Sequence, residues 1–198
     1  KPLTAATWGW TWDGKNGSNV VQPDGAYAFE VSIPGIPIIG GLWTNIDNTL
    51  PTVAITTPAS GGTLVNSTDV SVVGTASDLN FVDYTLDYGA GAAPSSWTSI
   101  ATGTAKIVST ALGTWVTNAS NGSIALTGLY TLRLRSNDLA GNLATLTQGV
   151  TLNNVTGSSI TQNVALIRPL AGEQLTVNFT LSAPATAYLR IYPDLGGA

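Results

Sequence analysis

Between Leu175 and Ser182 apolar and polar residues alternate without a break. Leu175, Val177, Phe179 and Leu181 fall on one side; Thr176, Asn178, Thr180 and Ser182 fall on the other. Successive side chains of a strand point to opposite faces, so this is the pattern of a β-strand with one buried and one wet face. The same period runs through Tyr27, Phe29, Val31 and Ile33, with Ala28, Glu30 and Ser32 opposite. It returns in Val82, Tyr84, Leu86 and Tyr88, interleaved with Asp83, Thr85 and Asp87, and again in Leu132 and Leu134, flanked by Thr131, Arg133 and Arg135. No stretch sustains the i, i+3, i+4, i+7 spacing of a capped amphipathic helix, so the chain is expected to be all-β.

Turn signals separate these runs: Asp24-Gly25, Gly61-Gly62, Asn121-Gly122 and Ala140-Gly-Asn142. Short strands punctuated every roughly 8–12 residues argue for antiparallel sandwiches. Two stretches break the rhythm. Residues 34–51 are rich in Pro, Gly and Ile, and residues 153–163 in Asn, Gly, Ser and Thr. They divide the chain into a segment 1–33, an apolar joint 34–51, a centre 52–152, a polar linker 153–163 and a segment 164–198. The centre has the size of one complete sandwich. Each flank is too small to bury a core alone.

The flanks resemble the two halves of one module. Leu181-Ser-Ala-Pro-Ala-Thr186, Ile191-Tyr-Pro-Asp-Leu-Gly196, Trp12-Asp-Gly14 and Gly25-Ala-Tyr-Ala-Phe29 follow one another, once the tail is placed before the head, as in the Ig-like module of the flagellar hook-capping protein (FlgD-type). Pro193 departs from that pattern. The centre resembles the bacterial Ig-like repeats of very large surface proteins, through Gly74-Thr-Ala-Ser-Asp78, Tyr84-Thr-Leu-Asp-Tyr-Gly89, Gly128-Leu-Tyr-Thr-Leu-Arg-Leu134 and Asp138-Leu-Ala-Gly-Asn142. The resemblance implies Ig-like antiparallel β-sandwiches, one complete in the centre and one split between the C-terminal and N-terminal segments. It also implies a stalk, adhesin or surface-layer role.

Composition narrows the chemistry. Only 9% of residues are charged and the net charge is −4 with seven Lys and Arg, so no basic footprint for nucleic acid exists. Cys and His are absent, which removes Ser-His, Cys-His and thiolate or imidazole metal arrangements. Glu30 and Glu173 are the only glutamates, and neither stands by a second carboxylate. The chain is therefore expected not to be an enzyme and to need no cofactor. Structural calcium is a candidate, since Asp78, Asp83 and Asp87 or Asn137, Asp138 and Asn142 offer the hard oxygen ligands that ion prefers; the spacing matches no EF-hand loop, and the latter string reads better as a hairpin turn. The most apolar stretch, Ile33 to Trp43, is broken by Pro and Gly and does not span a bilayer. A chain of 198 residues that lacks Met and begins at Lys1 is expected to be a processed or excerpted piece.

The remaining candidates concern contact with a partner. Trp8, Trp10 and Trp12, at i, i+2 and i+4, are expected to point into a small core rather than to form a platform for sugar. With Tyr27, Phe29 and Val31 they make the head's self-association surface; Leu175, Val177, Phe179, Leu181, Leu189 and Ile191 make the tail's. Ile36, Ile38, Ile39, Leu42 and Trp43 in the apolar joint either pack between modules or form a secondary interface. Asn16, Asn66, Asn118, Asn121, Asn154 and Asn178 each begin an Asn-x-Ser/Thr triplet and are candidate glycosylation acceptors.

The expectation is a structural subunit of an extracellular or cell-surface filament, sheath or fibre in a prokaryote. Its partner is itself, as a head-to-tail homopolymer or as tandem repeats, in which the tail half-sandwich of one unit is completed by the head half of the next. Two alternatives stand beside it: a circularly permuted, self-contained monomer, and an accessory or adhesin module that binds glycan or protein.

Overall fold

The computed structural model describes residues 9–33, 35–65, 69–117, 126–154, 157–163 and 166–181, with 189 and 191; for 33, 36–39 and 157–159 the description covers the backbone. It is all-β. The strands are β1 (Gly25–Ile33), β2 (Ile36–Ile46), β3 (Thr52–Thr57), β4 (Thr63–Val65), β5 (Val70–Ser77), β6 (Phe81–Ala90), β7 (Thr98–Gly103), β8 (Ile107–Trp115), β9 (Gly128–Asp138), β10 (Leu143–Asn153), β11 (Gly157–Gln162) and β12 (Val177–Leu181). A 3₁₀ turn at Pro169–Ala171 is the one helical element among the described residues.

The alternation read from the sequence sets the faces of the central strands. In β9, Leu132 and Leu134 are fully buried while Arg133 and Arg135 lie on the opposite face. In β6, Tyr84 and Leu86 turn inward. These strands belong to a five-stranded sheet of order β4-β10-β9-β6-β7, and a second sheet has the order β3-β5-β8. Both contribute to one hydrophobic cluster: Ile55, Val72, Leu112 and Trp115 from the smaller sheet meet Leu86, Leu134, Val150 and Leu152 from the larger. Face-to-face packing of two sheets over a shared core is a β-sandwich. At one end of the core the rings of Tyr88, Trp115 and Tyr130 pack together, with centroids 5.4–6.0 Å apart.

The pairings are antiparallel except that β4 runs parallel to β10. The chain leaves β3 in the smaller sheet, passes the buried Pro58, and enters β4 at the edge of the larger one. Gln148 in β10 donates its Nε2 to the Pro58 carbonyl, and Gly61 donates its N–H to Gly149 at 2.8 Å, which fixes that crossing. The outer face of the larger sheet is polar. There Asp87, almost fully buried, accepts from Arg133 (2.8 Å) and Arg135 (3.3 Å), and the Arg133 guanidinium lies 4.0 Å from the Trp97 ring.

Outside the sandwich the described residues form two hairpins. β1 pairs with β2 and β11 with β12, each pair antiparallel and each a two-stranded sheet. Residues 34–51, read from sequence as a joint, are thus largely strand β2, and residues 153–163, read as a linker, contain β11. Pro37 is compatible with β2 because a two-stranded ribbon leaves each strand a free edge where a missing N–H costs no ladder bond. β11 is strand only because β12 supplies its partner: Ile160 lies opposite Phe179 and Thr161 opposite Asn178.

Candidate assembly surfaces

The head surface is built on one face of β1–β2. Phe29 pairs with Leu42 and Tyr27 with Thr44, which places Tyr27, Phe29, Val31 and Leu42 on a common side. Trp12 lies across this face, 5.1 Å from Tyr27 and 5.3 Å from Phe29 between ring centroids. It is held there by its Nε1, which donates to the Lys15 carbonyl at 2.6 Å, and by a loop closed through the Lys15–Val21 bridge. Phe29 and Val31 remain exposed, and Leu42 is 75% exposed. Trp43 pairs with Ala28 on the other face and is 76% exposed.

Residues 9–13 form no strand, so the Trp8–Trp12 alternation does not become an inward-facing ladder. Trp10 is 96% exposed and Trp12 alone packs; Trp8 lies outside the described residues. A strand needs a neighbour to satisfy its backbone, and among the described residues nothing pairs with 9–13.

The tail surface is built on β11–β12. Val177, Phe179 and Leu181 share a face with Ile160, and Phe179 is 50% exposed. Leu175, Leu189 and Ile191 are also exposed, whereas 182–188 lie outside the described residues. The loop between the two strands is fixed by Asn163, whose Oδ1 accepts the Thr176 N–H at 2.7 Å, and by the Arg168–Glu173 ion pair. The Arg168 guanidinium and N–H beside Glu173 hold its carboxyl below the usual range. Among the described residues, head and tail share no strand pairing and no ring contact.

A second feature lies at one end of the sandwich. Asp47 follows β2, Asp78 follows β5 and Asp138 ends β9, and their carboxylate oxygens come within 4.8 Å of one another. Such hard oxygen donors are of the kind calcium takes. Each also accepts a hydrogen bond: Asp47 from the Asn80 side chain (2.6 Å), Asp78 from the Asn80 N–H (2.7 Å) and Asp138 from Asn142 (2.8 Å). Burial pushes the Asp138 carboxyl up, but the bonds from Asn142, Ala140 and Gly141 outweigh it and hold it below the usual value. A cleft of about 590 Å³ beside this cluster is lined by Asp24, Asn45, Asp47, Thr49, Asp78 and Asn80.

The sequence pointed to different sets. Asp83 is engaged by Asn137 at 2.9 Å and Asp87 by two arginines, so neither joins Asp78. Asp47 was missed, because it sits in the stretch read as a joint.

Asn154 is 4% exposed and its Nδ2 donates to the Thr117 carbonyl, so the folded chain presents no acceptor nitrogen there. Asn16 and Asn178 are exposed; Asn16 Oδ1 accepts the N–H groups of Ser18 and Val20, both at 3.0 Å. Asn66, Asn118 and Asn121 lie outside the described residues, as do the side chains of Ile36, Ile38 and Ile39.

No protein-family model and no curated protein matches the chain. Among solved structures it is similar to an engineered protein determined at 1.98 Å, at 18% identity over 52% of this chain, with a TM-score of 0.34. The match spans 20% of that protein's length, and at this likeness it carries no argument about fold or function.

Proposed function

We propose that this chain is a structural unit of an extracellular prokaryotic filament, sheath or surface fibre. Units join head to tail, as separate chains or tandem copies, by completing an Ig-like sandwich split between the β11–β12 tail and the β1–β2 head. The observation that carries the reading is that, among the described residues, both hairpins stay two-stranded while presenting aromatic and aliphatic side chains to solvent. An isolated two-stranded sheet is marginal in water, and an exposed apolar strand face is a surface that another strand covers. The motif order of the two ends supplies the occupant, since the tail strands precede the head strands in the module they resemble. The role is structural, not catalytic.

Phe179 and Leu181 from the tail, with Phe29, Val31 and Leu42 from the head, would each contribute about 1.5–3 kcal/mol on burial, before ordering costs. A heterologous contact whose rotation does not close a ring grows as a fibre. The test is sedimentation velocity and negative-stain microscopy of the full chain beside a version ending at Asn163. The full chain should form linear oligomers whose length rises with concentration. The shortened chain should stay monomeric while its sandwich melts cooperatively. A full chain that is monomeric at every concentration overturns the reading.

The exposed Trp10 and Trp43 favour a second reading, an accessory or adhesin module that binds glycan. Binding on a glycan array that disappears in Trp43→Ala, without self-assembly, would select it.

A further inference from the structure

The β1–β2 hairpin is connected to the sandwich by residues 47–51, a stretch of chain that without partners would swing freely. Polar side chains grip it from both sides instead. From the sandwich, Asn142 in the turn between β9 and β10 shares its Nδ2 between the carbonyls of Asp47 (3.0 Å) and Thr49 (3.2 Å). Asn80 donates its Nδ2 to Asp47 Oδ2 at 2.6 Å. From the hairpin, Asp24 Oδ1 accepts both the N–H and the Nδ2 of Asn48 at 2.7 Å, and its Oδ2 accepts the Thr49 hydroxyl.

Asn142 is itself fixed. Its backbone N–H donates to Asp138 Oδ1 and its Nδ2 also reaches Asp138 Oδ2, both at 2.8 Å. The segment's carbonyls thus take their donor from the sandwich, while its own N–H, amide and hydroxyl donors go to Asp24 beside the hairpin. A bond network that crosses a connection in this way removes the rotations that would let the units move independently.

We infer that Asn142, supported by Asn80 and Asp24, is the keystone of a polar clamp that makes the hairpin and the sandwich one rigid body. The direction of the head's apolar face is then set by the sandwich. This rigidity holds for a single chain in solution; only its consequence, a stiff and directionally fixed fibre, rests on the assembly reading.

The chain has no cysteine, so two can be introduced without background. Ser32→Cys on the hairpin and Thr145→Cys on β10, both exposed, carry spin labels whose separation is read by pulsed dipolar spectroscopy on labelled chain diluted into unlabelled chain. The expected result is one narrow distance distribution, broadened roughly twofold or more by Asn142→Ala and by Asn80→Ala. Asn142→Ala keeps the backbone N–H on Asp138, so the turn persists. A second label pair within the sandwich, Thr56→Cys with Thr145→Cys, should stay narrow in both variants and separates loosening from unfolding. A broad hairpin-to-sandwich distribution in the parent chain, or one that neither variant changes, overturns the inference. Loss of fibres with the narrow distribution retained would instead overturn the assembly reading and leave the clamp standing.

Discussion

The indole of Trp12 meets the ring of Phe29 nearly edge-on, with centroids 5.3 Å apart and planes inclined by 70°. That contact covers one flank of the head face, next to Tyr27, and leaves the flank toward Val31 and Leu42 open. The face is therefore covered on one side only. Edge-to-face rings hold their shape, so the open flank is a preformed surface rather than a collapsed one.

Removing apolar character from that flank should stop assembly without harming the sandwich. Phe29→Ser and Leu42→Ser are each expected to shift chains from oligomers to monomers in sedimentation velocity. The melting midpoint of the sandwich should move by no more than the equivalent of about 0.5 kcal/mol, because neither residue touches its core. Trp43→Ser, on the opposite face, should leave the axial contact intact. Oligomers that survive both substitutions would exclude this face as the head surface.

The sandwich has its own stability determinants. Leu134 is fully buried between the sheets, and Leu134→Ala should cost about 2–5 kcal/mol, a fall of roughly 10 °C or more in Tm for a domain of this size. Gly74→Ala should be comparably damaging for another reason. A Cβ there would stand 2.0 Å from the Ala54 carbonyl oxygen and 2.8 Å from Leu112 Cδ1, prising β3 from β5. Val108→Ala, on an exposed position of β8, is the neutral control. Calorimetry that finds Leu134→Ala within 1 °C of the parent would contradict the assigned core.

The Asp24 carboxyl is held below its ordinary value of 3.8, first by the Thr49 hydroxyl and then by the Asn48 N–H. A depressed folded-state pKa means that the ionised form is favoured by folding. Its contribution is complete above pH 3.8 and is lost as the pH falls through the lower folded value. Carboxyl-carbon NMR should place the Asp24 midpoint below 3.8, and Thr49→Val should move it back toward 3.8. A parent midpoint at or above 3.8, or one insensitive to Thr49→Val, would contradict the hydrogen bonds drawn here.

Period-two alternation located β1, β6, β9 and β12; in β6 and β9 it also placed Tyr84, Leu86, Leu132 and Leu134 inward, whereas Val82 and, in β1 and β12, Phe29, Val31 and Phe179 stay exposed. It failed for β2, where Pro37, Gly40 and Gly41 resemble a loop but sit in a two-stranded ribbon with free edges. β11, with Gly157 and Ser159 ahead of Ile160, has no amphipathic signal, and its partner strand makes it a strand. The acidic cluster was half legible. Asp78 and Asp138 lie at strand ends inside recognisable motifs, whereas Asp47 comes from a distant segment that only the β3–β5 pairing of Thr52 with Ser77 brings near. Asp83 and Asp87 were misleading because both project from β6 toward β9, whose Asn137, Arg133 and Arg135 take them up.

A cysteine cross-link between head and tail tests the account most directly. Thr44→Cys and Gln162→Cys, exposed polar positions on the faces of Phe29 and Phe179, are prepared in separate chains, mixed and oxidised, and compared with the double variant at high dilution. Disulfide-linked pairs joining one chain of each kind, with no internal disulfide in the diluted double variant, are the result expected of units that complete one another. Rapid internal closure of the double variant as a monomer, without mixed pairs, would mean that the two ends fold together in one molecule and would contradict it.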